Sequence, residues 1–272
     1  MPTFNTNVSA LQVQNALTQN KLAMSKAMEE LSSGLRVNTA ADDAASMAIG
    51  SQMSARIVSL NQAVRNANDG ISMIQTADGA TKVMVDMLTR MRELAIQASS
   101  ETYGTGDAAA LNVEFGELKS AMSSIIDNTS WNGKKLLNGE TASATYQVGA
   151  SGSGTDGVSV TFASLSSLTV LSAAGLTSRS NAHAAMTSTE TDLATINDRR
   201  TTWGAAMNRL SRAADNSGNV SMNLSASKSR LVDADYAKAT ADLARAQIVE
   251  AAGTAMLSQA NQQGTMVLHL LS

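Results

Sequence analysis

The chain has 272 residues, a single proline, no cysteine, two tryptophans, three tyrosines, three phenylalanines and a formal net charge of −3. Without cysteine there is no disulfide framework, thiolate zinc site or thiol nucleophile, and two histidines, His183 and His269, are too few for a general catalytic or metal constellation. The near-balanced charge gives no basic field for a phosphate backbone, and no run approaches the length of a membrane span.

The expectation is therefore a protein without enzymatic activity, cofactor, nucleic-acid partner or membrane span. The only proline is Pro2, so no other interrupts a helix, and the scarcity of aromatics disfavours a sandwich or barrel core. The amino terminus lacks both the basic region and the apolar core of a secretory signal, so export is expected to proceed without a cleaved signal peptide.

In chain order, the first helix has Ala10, Leu17, Met24 and Leu31 seven residues apart, with Met28 and Leu35 continuing the 4, 3 spacing from Met24. After a polar break, Met53, Ile57, Leu60, Val64, Ala67, Ile71 and Ile74 form a heptad seam. It takes one short step and resumes as Ala77, Thr81, Met84, Leu88, Met91, Ala95 and Ala98. Such a step overwinds a supercoil locally without ending the helix. A continuous helix from Ala44 to Ser99 would be about 84 Å long at a rise of about 1.5 Å per residue, which implies a rod.

ETYGTGDAAAL breaks the pattern, with Asp107 expected as the cap of a third helix carrying Leu111, Phe115, Leu118, Met122 and Ile125. Asn132-Gly133 and Asn138-Gly139 are turn signals. From Thr145 to about Val170 the alternating, Gly- and Ser-rich text predicts one or two hairpins, the only β structure expected. Heptad spacing returns through Met186, Leu193, Ile196, Arg200, Trp203, Met207, Leu210 and Ala214, and Gly218 marks an expected loosening. The last segment, from about Tyr236, puts Val249, Ala252, Met256, Val267 and Leu270 on one face.

The pattern predicts a mainly α fold: an elongated antiparallel helical coiled-coil rod with a small β-hairpin region in the middle of the chain. Residues 1–43 and 236–272 would pair as a terminal-helix coiled coil, and 44–235 would form a helical rod domain with its β region at about 140–180. The Asp42-Asp43 and Asp233-Asp235 pairs lie near helix starts and are read as caps rather than as acid-base pairs.

The first charged side chain is Lys21, and no Asp, Glu, Lys or Arg follows Glu250. Both ends keep apolar stripes above polar but uncharged faces, and a two-helix pair alone leaves much of such a stripe wet. Val8, Leu11, Leu17, Met24, Leu31, Val249, Met256, Val267 and Leu270 are therefore expected to pack between copies of the chain. Neutral faces let many such helices crowd together without like-charge repulsion.

LSSGLRVNTAADDAASMAI (31–49), RNANDGISMIQTADGA (65–80), MRELAIQASS (91–100), WNGKKLLNG (131–139) and SRLVDADYAKATADLARAQIVEAAGTAMLSQANQ (229–262) resemble segments of bacterial flagellin, in the same order. The resemblance implies a filament subunit, exported through the flagellar type III apparatus with an export chaperone and polymerised beneath a filament cap on a junction protein. It implies that the paired termini form an inner tube and the next helices a surrounding rod domain. The short centre leaves no room for the outer domains common in flagellins. Gly264 stands where many relatives have proline, so the last helix is expected to be less sharply broken or differently kinked. The resemblance also implies contact of Arg90, Leu94, Gln97 and Glu114 with Toll-like receptor 5. The readings set against the filament subunit are a hook-filament junction protein and a cytoplasmic coiled-coil scaffold.

Overall fold

The computed structural model describes residues 6–101, 104–151 and 156–271, in the last stretch with side chains as far as Gln262. Five helices frame a small β-rich centre: α1 Val8–Ser33, α2 Ala44–Ser99, α3 Thr105–Asn128, β1 Ser130–Trp131, β2 Lys134–Lys135, β3 Ser143–Gln147, β4 Gly157–Thr161, a 3-10 turn at Thr169–Ser172, α4 Arg179–Val232 and α5 Tyr236–Leu271. The fold is mainly α, as the periodicity predicts.

Local chemistry sets the helix ends. Asn7 caps α1 by accepting from the Ala10 N–H at 3.0 Å, and Gly34 closes it in the left-handed region at φ 72°. Asp43 accepts from the Ala45 and Ser46 N–H groups, each at 3.0 Å, and so starts α2. Asp235 does the same for α5 through the Ala237 N–H at 2.9 Å. The capping reading of both aspartate pairs thus holds at Asp43 and Asp235. In α3 the cap is Gly104, and Asp107 reaches back from the third helical position to the Gly104 N–H at 3.1 Å.

Two long helices show no interruption. α2 runs through the short step in its seam, where Ile74 and Ala77 are both fully buried, and α4 runs through Gly218. The loosening expected at Gly218 is therefore absent, because one glycine costs only about 1 kcal/mol and flanking turns carry the helix across it. α5 likewise continues through Gly264.

The chain divides into two compact units, Met1–Ala55 with Asn223–Ser272, and Arg56–Met222, with α2 and α4 contributing to both. In the second unit α2 and α4 run antiparallel. Arg92–Glu190, Arg200–Asp78 and Ser221–Asn61 contacts, at 3.5, 2.7 and 2.8 Å, step in opposite directions along the two helices. Their seams form one core with α3 and the β-rich centre, built on Met84, Leu88, Met91, Phe115, Met122, Phe162 and Trp203.

The β structure exceeds the expectation. β1 and β2 form an additional antiparallel ribbon around Asn132-Gly133, both residues having positive φ, 48° and 79°. Two strand residues on each side escape period-based reading, but the Asn-Gly signal marks the turn. β3 and β4 pair antiparallel with Thr145 opposite Ser159, and Val158 and Val160 point to the core. The Tyr146 ring covers Gly70 of α2, where a Cβ would lie 3.0 Å from the ring, and burial pushes the Tyr146 hydroxyl up to about 12.

Buried Asp192 of α4 anchors the 3-10 turn. It accepts from the Thr169 N–H and hydroxyl, both at 2.9 Å, and from the Val170 N–H at 2.8 Å.

Candidate assembly surface

In the unit that holds both chain ends, α1 and α5 lie antiparallel. Asn7 bonds to Ala260, Leu17 abuts Gly253, Asn20 bonds to Ala246, and the Tyr236 hydroxyl donates to the Leu31 carbonyl at 3.1 Å. The half-buried or buried positions on α1 are Ala10, Val13, Leu17, Asn20, Met24, Ala27 and Leu31, a 3, 4 repeat, with half-buried Glu30 beside Leu31 at its edge. Leu17, Met24 and Leu31 thus lie on the seam inside the subunit. Met28, at 47% exposed, falls off it and Ala27 takes its place.

The α5 seam differs from the expected face. It runs Ala239, Leu243, Ala246, Glu250, Gly253, Leu257 and Ala260, spaced 4, 3. Every second contact is a small residue, which brings the helices close and leaves the larger side chains elsewhere. Val249 and Met256 therefore point outward, 46% and 57% exposed, as do Val8 and Leu11 at the start of α1. Leu22 and Ile248 add to this exposed apolar surface. Val267 and Leu270 fall outside the residues whose side chains are described.

A knot of backbone and side-chain bonds closes the inner end of the helix pair. The Arg36 N–H donates to the Val232 carbonyl at 2.7 Å and the Ala234 N–H to the Gly34 carbonyl at 2.9 Å, and Leu35 bridges Asp233. Asp42 accepts from the Asn38 and Thr39 N–H groups, from the Thr39 hydroxyl at 3.0 Å and from the Lys26 ammonium at 2.9 Å. Those donors, the Lys26 bond foremost, hold its carboxyl far below its ordinary 3.8, and the same bond raises Lys26.

A carboxyl depressed on folding contributes stability that is present above its ordinary value and is lost only as pH falls through the depressed one. We therefore expect the amides of Asn38 and Thr39 to keep their hydrogen-exchange protection at pH 3.8, where a free aspartate is half protonated. Asp42→Asn should remove that protection at neutral pH.

Beside this knot lies an open groove of about 840 Å³ walled by both signs of charge, five cationic side chains from Lys26, Arg36, Arg230, Lys238 and Arg245 against the carboxylates of Glu30, Asp233, Asp235 and Asp242.

The residues for which the resemblance implies a receptor contact lie in the other unit. Arg90 is exposed and donates to Glu114 of α3 at 2.8 Å and to Glu93 at 3.0 Å, and Gln97 is half-buried. Leu94 is fully buried in the core stripe of α2, so it presents no side-chain surface to a partner in this structure. Among the described residues no group of three His, Cys, Asp or Glu side chains could hold a metal ion, and no helix is long and apolar enough to cross a membrane.

Residues 4–142 match the family model described as the bacterial flagellin N-terminal helical region, and residues 186–271 match the bacterial flagellin C-terminal helical region. The sequence is 42% identical over 269 residues to a flagellin of Halalkalibacterium halodurans, covering 98% of this chain and 99% of that one. It is 35% identical to a flagellin of Bacillus subtilis and 34% identical to the flagellar filament 33 kDa core protein of Treponema phagedenis, each over 98% of this chain and 99% of the other. The crystal structure of Bacillus cereus flagellin is similar with a TM-score of 0.52 at 31% identity, covering 56% of this chain and 88% of that one.

Proposed function

This chain belongs to the bacterial flagellin family and is a structural subunit of the flagellar filament, not an enzyme; from that premise we propose that α1 and α5 are the part through which copies pack into the filament's inner tube. Flagellins self-assemble into filaments, and the filament is an extracellular component of the flagellum. The observation that carries the terminal-helix reading is the exposed apolar surface of Val8, Leu11, Val249 and Met256 on helices free of charge before Lys21 and after Glu250. A subunit alone leaves that surface in water, and neighbouring copies, joined head to tail, would cover it.

Residues 1–43 with 236–272 are on this reading the inner tube domain, and 44–235 the surrounding rod domain without outer domains. Val267 and Leu270 would extend the packing surface. The finer partners follow from the family alone: the flagellar export apparatus, with an export chaperone and no cleaved signal, then the filament cap and the junction protein. The junction-protein and scaffold readings are not favoured, since the matched relatives are flagellins and filament core proteins.

Electron microscopy of the purified chain with and without residues 251–272 tests the assignment. The full chain is expected to form long filaments and the truncated one only soluble subunits, and filaments from the truncated chain would refute the role given to α5.

Recognition by Toll-like receptor 5 is a second reading, supported by the exposed Arg90–Glu114 pair that joins α2 to α3. Arg90 and Glu114, with Gln97, would make the contact, and buried Leu94 would act by holding α2 in place. Soluble Arg90→Ala is expected to activate the receptor about tenfold less, the scale of one exposed polar anchor at an interface. Undiminished activation would remove this reading.

A further inference from the structure

The α5 seam repeats a small residue every seven positions, at Ala239, Ala246, Gly253 and Ala260, with Leu243, Glu250 and Leu257 between them. A slide of α5 along α1 by one heptad, about 10.5 Å, would offer α1 nearly the same surface. Hydrophobic pattern alone therefore leaves several axial registers close in energy.

Two asparagines remove the smaller slips. Asn20 Nδ2 donates to the Ala246 carbonyl at 2.7 Å, and Asn7 Nδ2 donates to the Ala260 carbonyl at 2.9 Å. An amide reaches the backbone of a facing helix only above a small side chain. A slip of three or four residues would bring Leu243, Glu250 or Leu257 beneath these asparagines and shut them off. Asn7 uses both ends of its amide, since its Oδ1 caps α1 while its Nδ2 grips α5.

Whole-heptad slides survive that test at Asn20, beneath which alanine or glycine returns, while one of the two would bring Val267 beneath Asn7. Leu17 decides among them. It lies over Gly253, where an added Cβ would fall 2.6 Å from Leu17 Cδ2 and 3.1 Å from its Cγ. One heptad either way sets Leu17 over Ala246 or Ala260, each bearing a methyl that Leu17 would admit only by shifting out of its present position. The Lys21–Glu250 approach at 4.0 Å would be lost as well, with Leu243 or Leu257 in place of Glu250.

We propose that Leu17 and Gly253, with Asn7 and Asn20 fixing the phase, select one axial register of the terminal helices and are thereby the specificity determinants of the assembling form. The functional consequence rests on the proposal that these helices pack the filament. Copies with different registers would display Val8, Leu11, Val249 and Met256 at different relative heights and could not share one lattice.

The absence of cysteine allows a clean test in the full-length chain. Lys21→Cys with Glu250→Cys reports the observed register, and Lys21→Cys with Leu243→Cys or with Leu257→Cys reports the two slid ones. Under mild oxidation the first pair is expected to cross-link about tenfold more than either other, the ratio that overpacking of one methyl implies. Gly253→Ala should bring the three yields together, and Leu17→Ala on its own should do the same, because it removes the side chain that distinguishes glycine from alanine beneath it. Equal or absent cross-linking in all three reporters, or a ratio unchanged by Gly253→Ala, overturns the proposal. The ratio is read before polymerisation, so its outcome is separate from whether truncation of α5 abolishes filaments.

Discussion

Trp203→Ala is expected to destabilise the Arg56–Met222 unit by about 4 kcal/mol, the upper range for removing a large buried aromatic. Trp203 is 1% exposed and is among the largest fully buried side chains in the chain. Its indole N–H donates to the Thr161 carbonyl at 3.0 Å, and its ring meets Phe162 with centroids 6.0 Å apart. The alanine variant would open a cavity where α4 packs against β4 and strand the Thr161 carbonyl without its donor. A unit of this size should lose about 10 °C in melting temperature, measurable by calorimetry on the non-assembled chain. Trp203→Phe should recover most of the packing and leave only the hydrogen-bond deficit, about 1 kcal/mol. Equal losses for the two variants would show that the bond, and not the volume, carries the residue's contribution.

Val249→Asp is expected to raise the critical concentration for polymerisation by at least about a hundredfold while leaving the subunit's helicity unchanged. Val249 is 46% exposed in the subunit, so the folded chain accommodates a carboxylate there at little cost. Once neighbouring copies cover that face, the same carboxylate is desolvated without a partner, a penalty of several kcal/mol that translates to the stated ratio. Met256→Lys, with the opposite charge, should act in the same direction, because desolvation is indifferent to sign. Sedimentation of protein seeded with filament fragments measures the effect. A variant that polymerises at the natural concentration would place Val249 on a surface that stays in water.

The seams of α2 and α4 were legible because each is lined by bulky apolar residues, and the short step between Ile74 and Ala77 is read directly from spacing. The seam that α5 turns toward α1 went unread for the opposite reason. Ala239, Ala246, Gly253 and Ala260 carry the contact, and a scale that rewards large apolar side chains passes over them toward Val249 and Met256. Spacing by sevens in small residues was the available signal. The exposure of those larger side chains is what recommends them as packing residues, so the unread seam and the assembly proposal arise from one arrangement. Asn7 and Asn20 were illegible in principle. An asparagine on a helix has many local partners, and its bond to a carbonyl 253 residues away, as at Asn7, depends on the register of the other helix. Asp192 was equally hidden, since the amides it serves belong to a turn without regular periodicity.

That separation of 253 residues also bears on the order in which the molecule forms. Closing so long a loop from an open chain is entropically slow, and the α1–α5 contact cannot begin until the last helix is present. The Arg56–Met222 unit has no such requirement. Once it folds, the Ser221–Asn61 bond holds its two chain ends together, and the distance left to search falls from most of the polypeptide to two short arms. Closure of the terminal pair is thus a late, templated event, and it ties the last-formed surface of the subunit to completion of the whole chain. A fragment cut short at its carboxy end would fold its middle and still lack the surface by which copies recognise one another.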